Sequence, residues 1–284
     1  MKKQIKIINK EKGIVQITTV DERWYAKSIP NEKTGLPDYQ FLPSTTWIAS
    51  YYPKGIAFYK WLAGKGWDEA EAIKNDAGEK GTKVHKASED IDEGKKIKID
   101  DKYINPTTQK EEELTLEEYW CLMTYIGWEK EPKLNIFVDG KSKPVYPKSI
   151  KLIASEFNLY SNASAGTGDR LFLIDNEVWL VDIKTSQYIW MSHILQNSNY
   201  KHLLSFDKEI VDKLKKLGKT VDDVRLAILQ IGYRGNKNGF KFTEHKDKFE
   251  LFKNVYELWK DDNDGKSPKQ RDYPLYLANK IDKA

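Results

Sequence analysis

Asp169, Asp182 and Lys184 are spaced so that one short β-hairpin would gather two carboxylates and an ammonium group. The segment Asp169-Arg170-Leu171-Phe172-Leu173-Ile174-Asp175-Asn176-Glu177-Val178-Trp179-Leu180-Val181-Asp182-Ile183-Lys184 has two apolar runs flanking Asp175-Asn176-Glu177. Asp and Asn favour tight turns. With Asp175 and Asn176 as a two-residue loop, Ile174 faces Glu177, and the register runs back until Asp169 faces Asp182. Directly opposed residues hold their Cβ atoms about 5 Å apart. A three-residue loop would shift the register by one and separate the acids. Two carboxylates at that range repel, and a divalent cation between them lowers the cost. Strand alternation puts Asp182 and Lys184 on one face, with Ile183 pointing into the core. An Asp-x-Lys triplet is common in itself. Here apolar neighbours bury Asp182, and an unpartnered buried carboxylate is costly.

Other residues carry chemistry in pairs. His85 and Glu89 lie one helical turn apart in Gly81-Thr82-Lys83-Val84-His85-Lys86-Ala87-Ser88-Glu89, on one face of a helix. Glu156 sits in the strand-like Ala154-Ser155-Glu156-Phe157. Gln196 and Tyr200 share a helix face at i and i+4. Tyr51, Tyr52, Tyr59 and Trp61 interleave with Lys54, Lys60 and Lys65. That pattern reads either as a platform for single-stranded bases or as ordinary core.

The elements that must position these groups follow from periodicity. Residues 4–20 alternate around Ile5, Ile7, Ile14 and Ile17, a short hairpin with Gly13 near its turn. Residues 28–43, rich in Pro and Gly, read as loop. Ser44 caps a helix that Pro53 interrupts. Further helices are expected at 54–63, from Asp68 to 77, at 82–92, and from Leu116 to Trp128; 94–113 reads as a polar, exposed stretch. After a strand at 151–160 and the hairpin at 169–184 come a helix at 189–205, strands at 225–233 and 239–245, and a helix at 247–260. This order predicts an α/β fold with a central mixed β-sheet flanked by helices. One domain over 1–284 is expected: an N-terminal hairpin and loop over 1–43, a helical region over 44–130, a core over 150–260, and a tail over 261–284.

Composition sets the class. The 284 residues carry a net charge of +4 and nine Trp, enough apolar and aromatic material for a sizeable core. The slight basic excess is compatible with an anionic partner. It is almost entirely lysine, broken only by Arg23, Arg170, Arg225, Arg234 and Arg271, which suits backbone contact better than base reading. Cys121 stands alone, so neither an internal disulfide nor a cysteine-ligated iron–sulfur cluster can form. No apolar run approaches a membrane span and no signal-peptide stretch opens the chain, so an intracellular, cytoplasmic protein with no membrane partner is expected.

Taken in order, these motifs resemble the PD-(D/E)XK nuclease superfamily. Gly168-Asp169, thirteen residues before Asp182-Ile183-Lys184, matches its core, with Gly at the nominal Pro. Gly81-Thr82 through Glu89, Glu156, and Gln196-Asn197-Ser198-Asn199-Tyr200 resemble the G-T-x-x-H-x-x-x-E helix, first-strand acid and Q-x-x-x-Y helix of its RecB-like branch. Leu42-Pro43-Ser44-Thr45-Thr46-Trp47-Ile48, Trp61 and Ala77 to Thr82 look like the opening of the phage and mitochondrial genome maintenance exonucleases. CRISPR-associated relatives in that branch carry a cysteine-held cluster, which Cys121 alone cannot supply. The resemblance covers about residues 42–260. It implies a restriction-endonuclease-like core and hydrolysis of DNA by an exonuclease with one or two Mg²⁺ or Mn²⁺ ions, the alternatives being a structure-specific or restriction-type endonuclease of the same fold or a catalytically inert DNA-binding module. The substrate it implies is DNA with a single strand or a free end, in replication, repair or recombination. It assigns Asp169, Asp182, the Ile183 carbonyl and His85 as metal ligands. Lys184 would orient the attacking water, Glu156 would bind a second ion or a metal water, and Gln196 and Tyr200 would hold a phosphate or the acids. Glu89 would steady His85 or stand in solvent.

Overall fold

In the computed structural model, which describes residues 4–9, 13–18, 23–33, 35 and 37–263, the first apolar alternation extends beyond a hairpin. Strands β1 (Gln4–Asn9), β2 (Ile14–Thr18), β3 (Arg23–Ile29) and β4 (Asp38–Leu42) form a sheet in that order. Ile5 lies opposite Ile17, as the pattern requires. Gly13 at φ +63 serves the turn, where a Cβ would meet the Ser28 carbonyl at 3.1 Å. The expected loop at 28–43 is corrected: it holds β4 and the end of β3. Pro30, Gly35 and Pro37 gather in the connection, while Tyr39 and Phe41 alternate onto Val15, Ile17 and Ala26.

Helix α1 (Thr45–Ser50) starts where Ser44 Oγ accepts the Trp47 amide at 3.1 Å. It is followed by α2 (Ile56–Lys65) and α3 (Trp67–Asp92). The two helices expected at 68–77 and 82–92 are therefore one. Gly78 and Gly81 weaken α3 by propensity, but no turn or close neighbour forces a break there. The stretch expected to be exposed at 94–113 closes into a ribbon of β5 (Lys102–Ile104) and β6 (Glu111–Glu113), which buries Tyr103 and Asn105. Helix α4 (Leu116–Lys130) opens on a reciprocal Thr115–Glu118 cap. Strands β7 (Leu134–Val138) and β8 (Lys141–Val145), and a helix at 208–216, were not foreseen; each is short. Then come β9 (Ile150–Tyr160), β10 (Ala165–Ile174), β11 (Glu177–Lys184), α5 (Met191–Leu204), α6 (Lys208–Lys216), β12 (Arg225–Ile231), β13 (Phe240–His245) and α7 (Phe249–Asn263). Of the expected tail, 264–284 lies outside the described residues.

The fold is α/β. Its main sheet has seven strands in the order β8-β7-β13-β12-β11-β10-β9. It is mixed: β11 with β12 and β13 with β7 run parallel, and the other pairs are antiparallel. Alternation along β11 divides the core. Trp179, Val181 and Ile183 pack with α3 and α4, whereas Val178 and Leu180 pack with α5 and α6. The small sheet joins through rings, with Trp24 edge-on to Trp47 at 4.8 Å and Trp47 edge-on to Trp259 at 5.2 Å. Among the described residues no helix is long and apolar enough to cross a membrane.

The aromatic cluster of the main core predicts a stability effect. Trp128 is fully buried, stacked on Phe242 at 5.9 Å and edge-on to Phe172 at 5.4 Å. Trp128→Ala should cost about 3–5 kcal/mol, read as a lower urea midpoint with unchanged slope.

Candidate functional site

The two-residue loop forms as the sequence requires. Asp175 takes a positive φ of 51°, and the ladder runs from Ile174 opposite Glu177 to Arg170 opposite Val181. Regular pairing ends there, with Asp169 still beside the end of β11 and close enough to act on the charge of Asp182. Asp169 Oδ2 accepts the Ile183 amide at 2.7 Å, so Ile183 enters this site through its N–H. Lys184 Nζ reaches back along its own face of β11 to Asp182 at 2.7 Å. Asp182 is almost fully buried, and both its carboxylate oxygens lie 2.7 Å from Lys184 Nζ.

Two further elements complete the cluster. Helix α3 lies against β9 and turns His85 toward the sheet, 3.6 Å from Asp169 Oδ2 and 3.8 Å from Glu156 Oε1. On β9, Glu156 adopts φ +45 in mid-strand, and regular pairing with β10 skips Glu156 and Asp169. A non-glycine residue held in the left-handed region costs on the order of 1–3 kcal/mol. That rotation brings Glu156 to His85. Ligand atoms of His85, Glu156 and Asp169 all lie within 4.8 Å of one another. Oxygens across an octahedral Mg²⁺ are ~4.2 Å apart, twice a 2.1 Å bond. The trio therefore has the size and donor chemistry to close on one hard divalent ion.

A buried arginine ties these elements together. Arg170 is fully buried and points to the opposite face from Asp169 and Leu171. It pairs through Nε with Asp92, through Nη1 with Glu156 at 2.9 Å and the Asp169 carbonyl at 2.8 Å, and through Nη2 with Ser88 Oγ at 2.9 Å. Tyr125 Oη donates to Asp92 at 2.7 Å. His85, Ser88 and Asp92 are spaced three and four apart, one face of α3. Neither Arg170 nor Asp92 was singled out in the sequence. The available signal was a charged residue among the core-facing positions 170, 172 and 174 of an apolar strand.

Electrostatics follow the packing. Burial lowers the proton affinity of His85, but Asp169 and Glu156 outweigh it, so its pKa is raised. Burial, then the charge of Asp169, raises Asp182 against the pull of Lys184. Lys184 is opposed by burial yet raised by Asp182 and Asp169. Burial would raise Glu156, but His85 and Arg170 hold it below the ordinary carboxyl range. His193, next to the site on α5, is pushed down to about 4 by burial and then by Lys184, and stays neutral.

The remaining predicted residues are placed as follows. Tyr200 is buried, its ring against Gly166, where a Cβ would sit 2.5 Å from Cε1. Its hydroxyl accepts Gln196 Nε2 at 3.0 Å. Burial, then nearby charges that include Asp182 and Asp169, raise its pKa. Glu89 pairs with Lys86 rather than His85. Tyr51 and Tyr52 pack against the Ile48 and Trp259 cluster, whereas Tyr59 and Trp61 are exposed. Compared with known proteins, the sequence matches no family model and no curated relative.

Two outcomes follow. Arg170→Met strands Asp92 and Glu156 without their cation, and breaking a buried pair in this way should cost about 3–5 kcal/mol in urea unfolding. Glu129 is pushed up to about 7 by burial and then by Asp92, from an ordinary 4.5. A carboxyl with a raised folded pKa favours the fold most below 4.5 and loses that contribution as pH rises toward 7. Glu129→Gln should therefore raise Tm at pH 8 and leave it nearly unchanged at pH 4, measured by thermal melts across pH.

Proposed function

We propose that this chain is a metal-dependent deoxyribonuclease of the PD-(D/E)XK type, with a restriction-endonuclease-like core of the RecB-like branch, that hydrolyses phosphodiester bonds from single-stranded ends. One observation supports it above the rest: His85, Glu156 and Asp169 converge from a helix and two strands beside the Asp182–Lys184 pair. An acid cluster needs no adjoining ammonium to bind a cation. On a phosphate the two divide the work, the ion activating water and the ammonium offsetting developing charge.

The metal called for is a hard ion, Mg²⁺ or Mn²⁺. Carboxylates suit either, and the His85 imidazole leans toward Mn²⁺. Such an ion supplies a water of lowered pKa and relieves charge on the phosphate. Asp169, Glu156 and His85 would hold it, with Asp182 a further ligand that it would share with Lys184. Lys184 holds a positive charge at the nucleophile's side and orients the attacking water, and its ammonium offsets charge building on the phosphate oxygens. Asp182 fixes the Lys184 amine in place. Gln196 and Tyr200, hydrogen-bonded to each other below the acids, steady the floor of the site. His193 remains neutral and adds no competing cation charge.

The test is cleavage of end-labelled linear and circular DNA, single- and double-stranded, with Mn²⁺ or Mg²⁺. Wild type should release short products progressively from linear single strands, and Lys184→Ala should lower the rate about a hundredfold at a temperature where circular dichroism shows the variant still folded. Cut circles would reassign the chain as an endonuclease. Absence of metal-dependent cleavage by wild type would overturn the reading.

A further inference from the structure

The segment that leaves the site carries two large rings into solvent. Tyr188 is 72% exposed and Trp190 49% exposed, four and six residues beyond Lys184, with ring centroids 6.1 Å apart and planes tilted by 47°. Exposed aromatics on a loose tip would carry little information. This segment is fixed at several points. Gln230 Nε2 donates to the Ser186 carbonyl at 2.9 Å, and Ser186 Oγ donates to the Tyr188 carbonyl at 2.9 Å. Gln187 Nε2 donates to the Gly232 carbonyl at 2.9 Å, and its Oε1 accepts the Arg234 amide at 2.8 Å. The 232–239 loop is seated in turn on α4: at Gly232 a Cβ would strike Cys121 Sγ at 2.5 Å, and at Gly239 it would strike Thr124 Cγ2 at 2.4 Å. Two apolar faces are thus held in water by hydrogen bonds that lock the backbone beneath them. Lys184 lies before the rings with its ammonium held by Asp182, and Lys54 is near enough to His193, three residues after Trp190, to act on its charge.

We propose that Tyr188 and Trp190 form a stacking platform for unpaired bases of the DNA strand whose phosphate occupies the site, and so set its preference for single strands. This rests on the nuclease reading. In a duplex, base faces are covered by their neighbours, whereas an unpaired strand offers a π-face at every nucleotide. Rings carried on a backbone already fixed in place have less freedom to lose on binding. Stacking on base faces alone carries no hydrogen-bond code, so such a platform reads strandedness and not sequence.

The experiment is fluorescence anisotropy of the full chain with a labelled twenty-nucleotide thymidine strand. A second probe of equal length carries tetrahydrofuran spacers in place of every nucleoside. Both are measured in EDTA, which prevents cleavage, and again with Mn²⁺. Tyr188→Ala and Trp190→Ala should each weaken thymidine-strand binding roughly tenfold. Tyr188→Phe and Trp190→Phe should recover most of it, and the spacer strand should bind all five proteins alike. The salt dependence should not change, because no charge is removed. Equal affinity of the alanine variants and wild type, an equal loss on the spacer strand, or no binding by wild type in either buffer would overturn the inference. The nuclease reading is scored separately. Base-dependent binding without metal-dependent cleavage sinks that reading alone, and cleavage without base dependence sinks this inference alone.

Discussion

Three carboxylates lie together in the interior of this protein, and their mutual repulsion is the constraint on which the site is built. Glu156, Asp169 and Asp182 meet where β9, β10 and β11 run side by side, largely out of water. Two fixed cations answer them from opposite faces of the sheet, Arg170 from the α3 side and Lys184 from the α5 side. Magnitudes separate these contacts from the many surface pairs. An exposed pair such as Lys213–Glu209 contributes about 0–1 kcal/mol, whereas removing one partner of a buried pair costs several times more. The cation side is still incomplete. His85 is drawn toward its protonated form by the acids around it. A divalent ion would relieve that tension.

The same charge balance explains the distortion in β9. An extended Glu156 would keep to the regular ladder. Its positive φ interrupts pairing with Asp169 and lets one carboxylate serve both Arg170 and His85. The helix that delivers His85 is held to the sheet by the same guanidinium, through Ser88 and Asp92. Metal ligand geometry and helix docking are therefore not independent, and a change at Arg170 should be felt at His85 without any direct contact between them.

The hairpin was legible in the sequence because its information is local. A two-residue turn and alternation of period two fix which residues oppose each other, and Ile174 against Glu177 forces the rest. Ser44 as a cap and the helix face shared by Gln196 and Tyr200 were legible for the same reason. What escaped was long-range or overrode propensity. Arg170 lies among apolar residues, and its partners are Glu156, fourteen positions back, and Ser88 and Asp92 on a helix roughly eighty positions away. Two glycines suggested a break in α3 that tertiary packing did not require. The Pro- and Gly-rich stretch at 28–43 hid a strand that exists because β3 offers it an edge. The carboxylate trio drew Glu156, and not Asp182, next to His85, since the pairing arithmetic of one hairpin says nothing of the strand on its other side.

The claim that this acid cluster is a cation site can be measured without reference to any substrate. Electron paramagnetic resonance of Mn²⁺ titrated into the full chain counts bound ions directly. The account predicts binding that EDTA reverses, a higher melting temperature in the bound form, and loss of both in Asp169→Asn and His85→Ala variants that remain folded. Binding of equal stoichiometry and affinity in Asp169→Asn, or no bound Mn²⁺ in the wild-type chain, would contradict it.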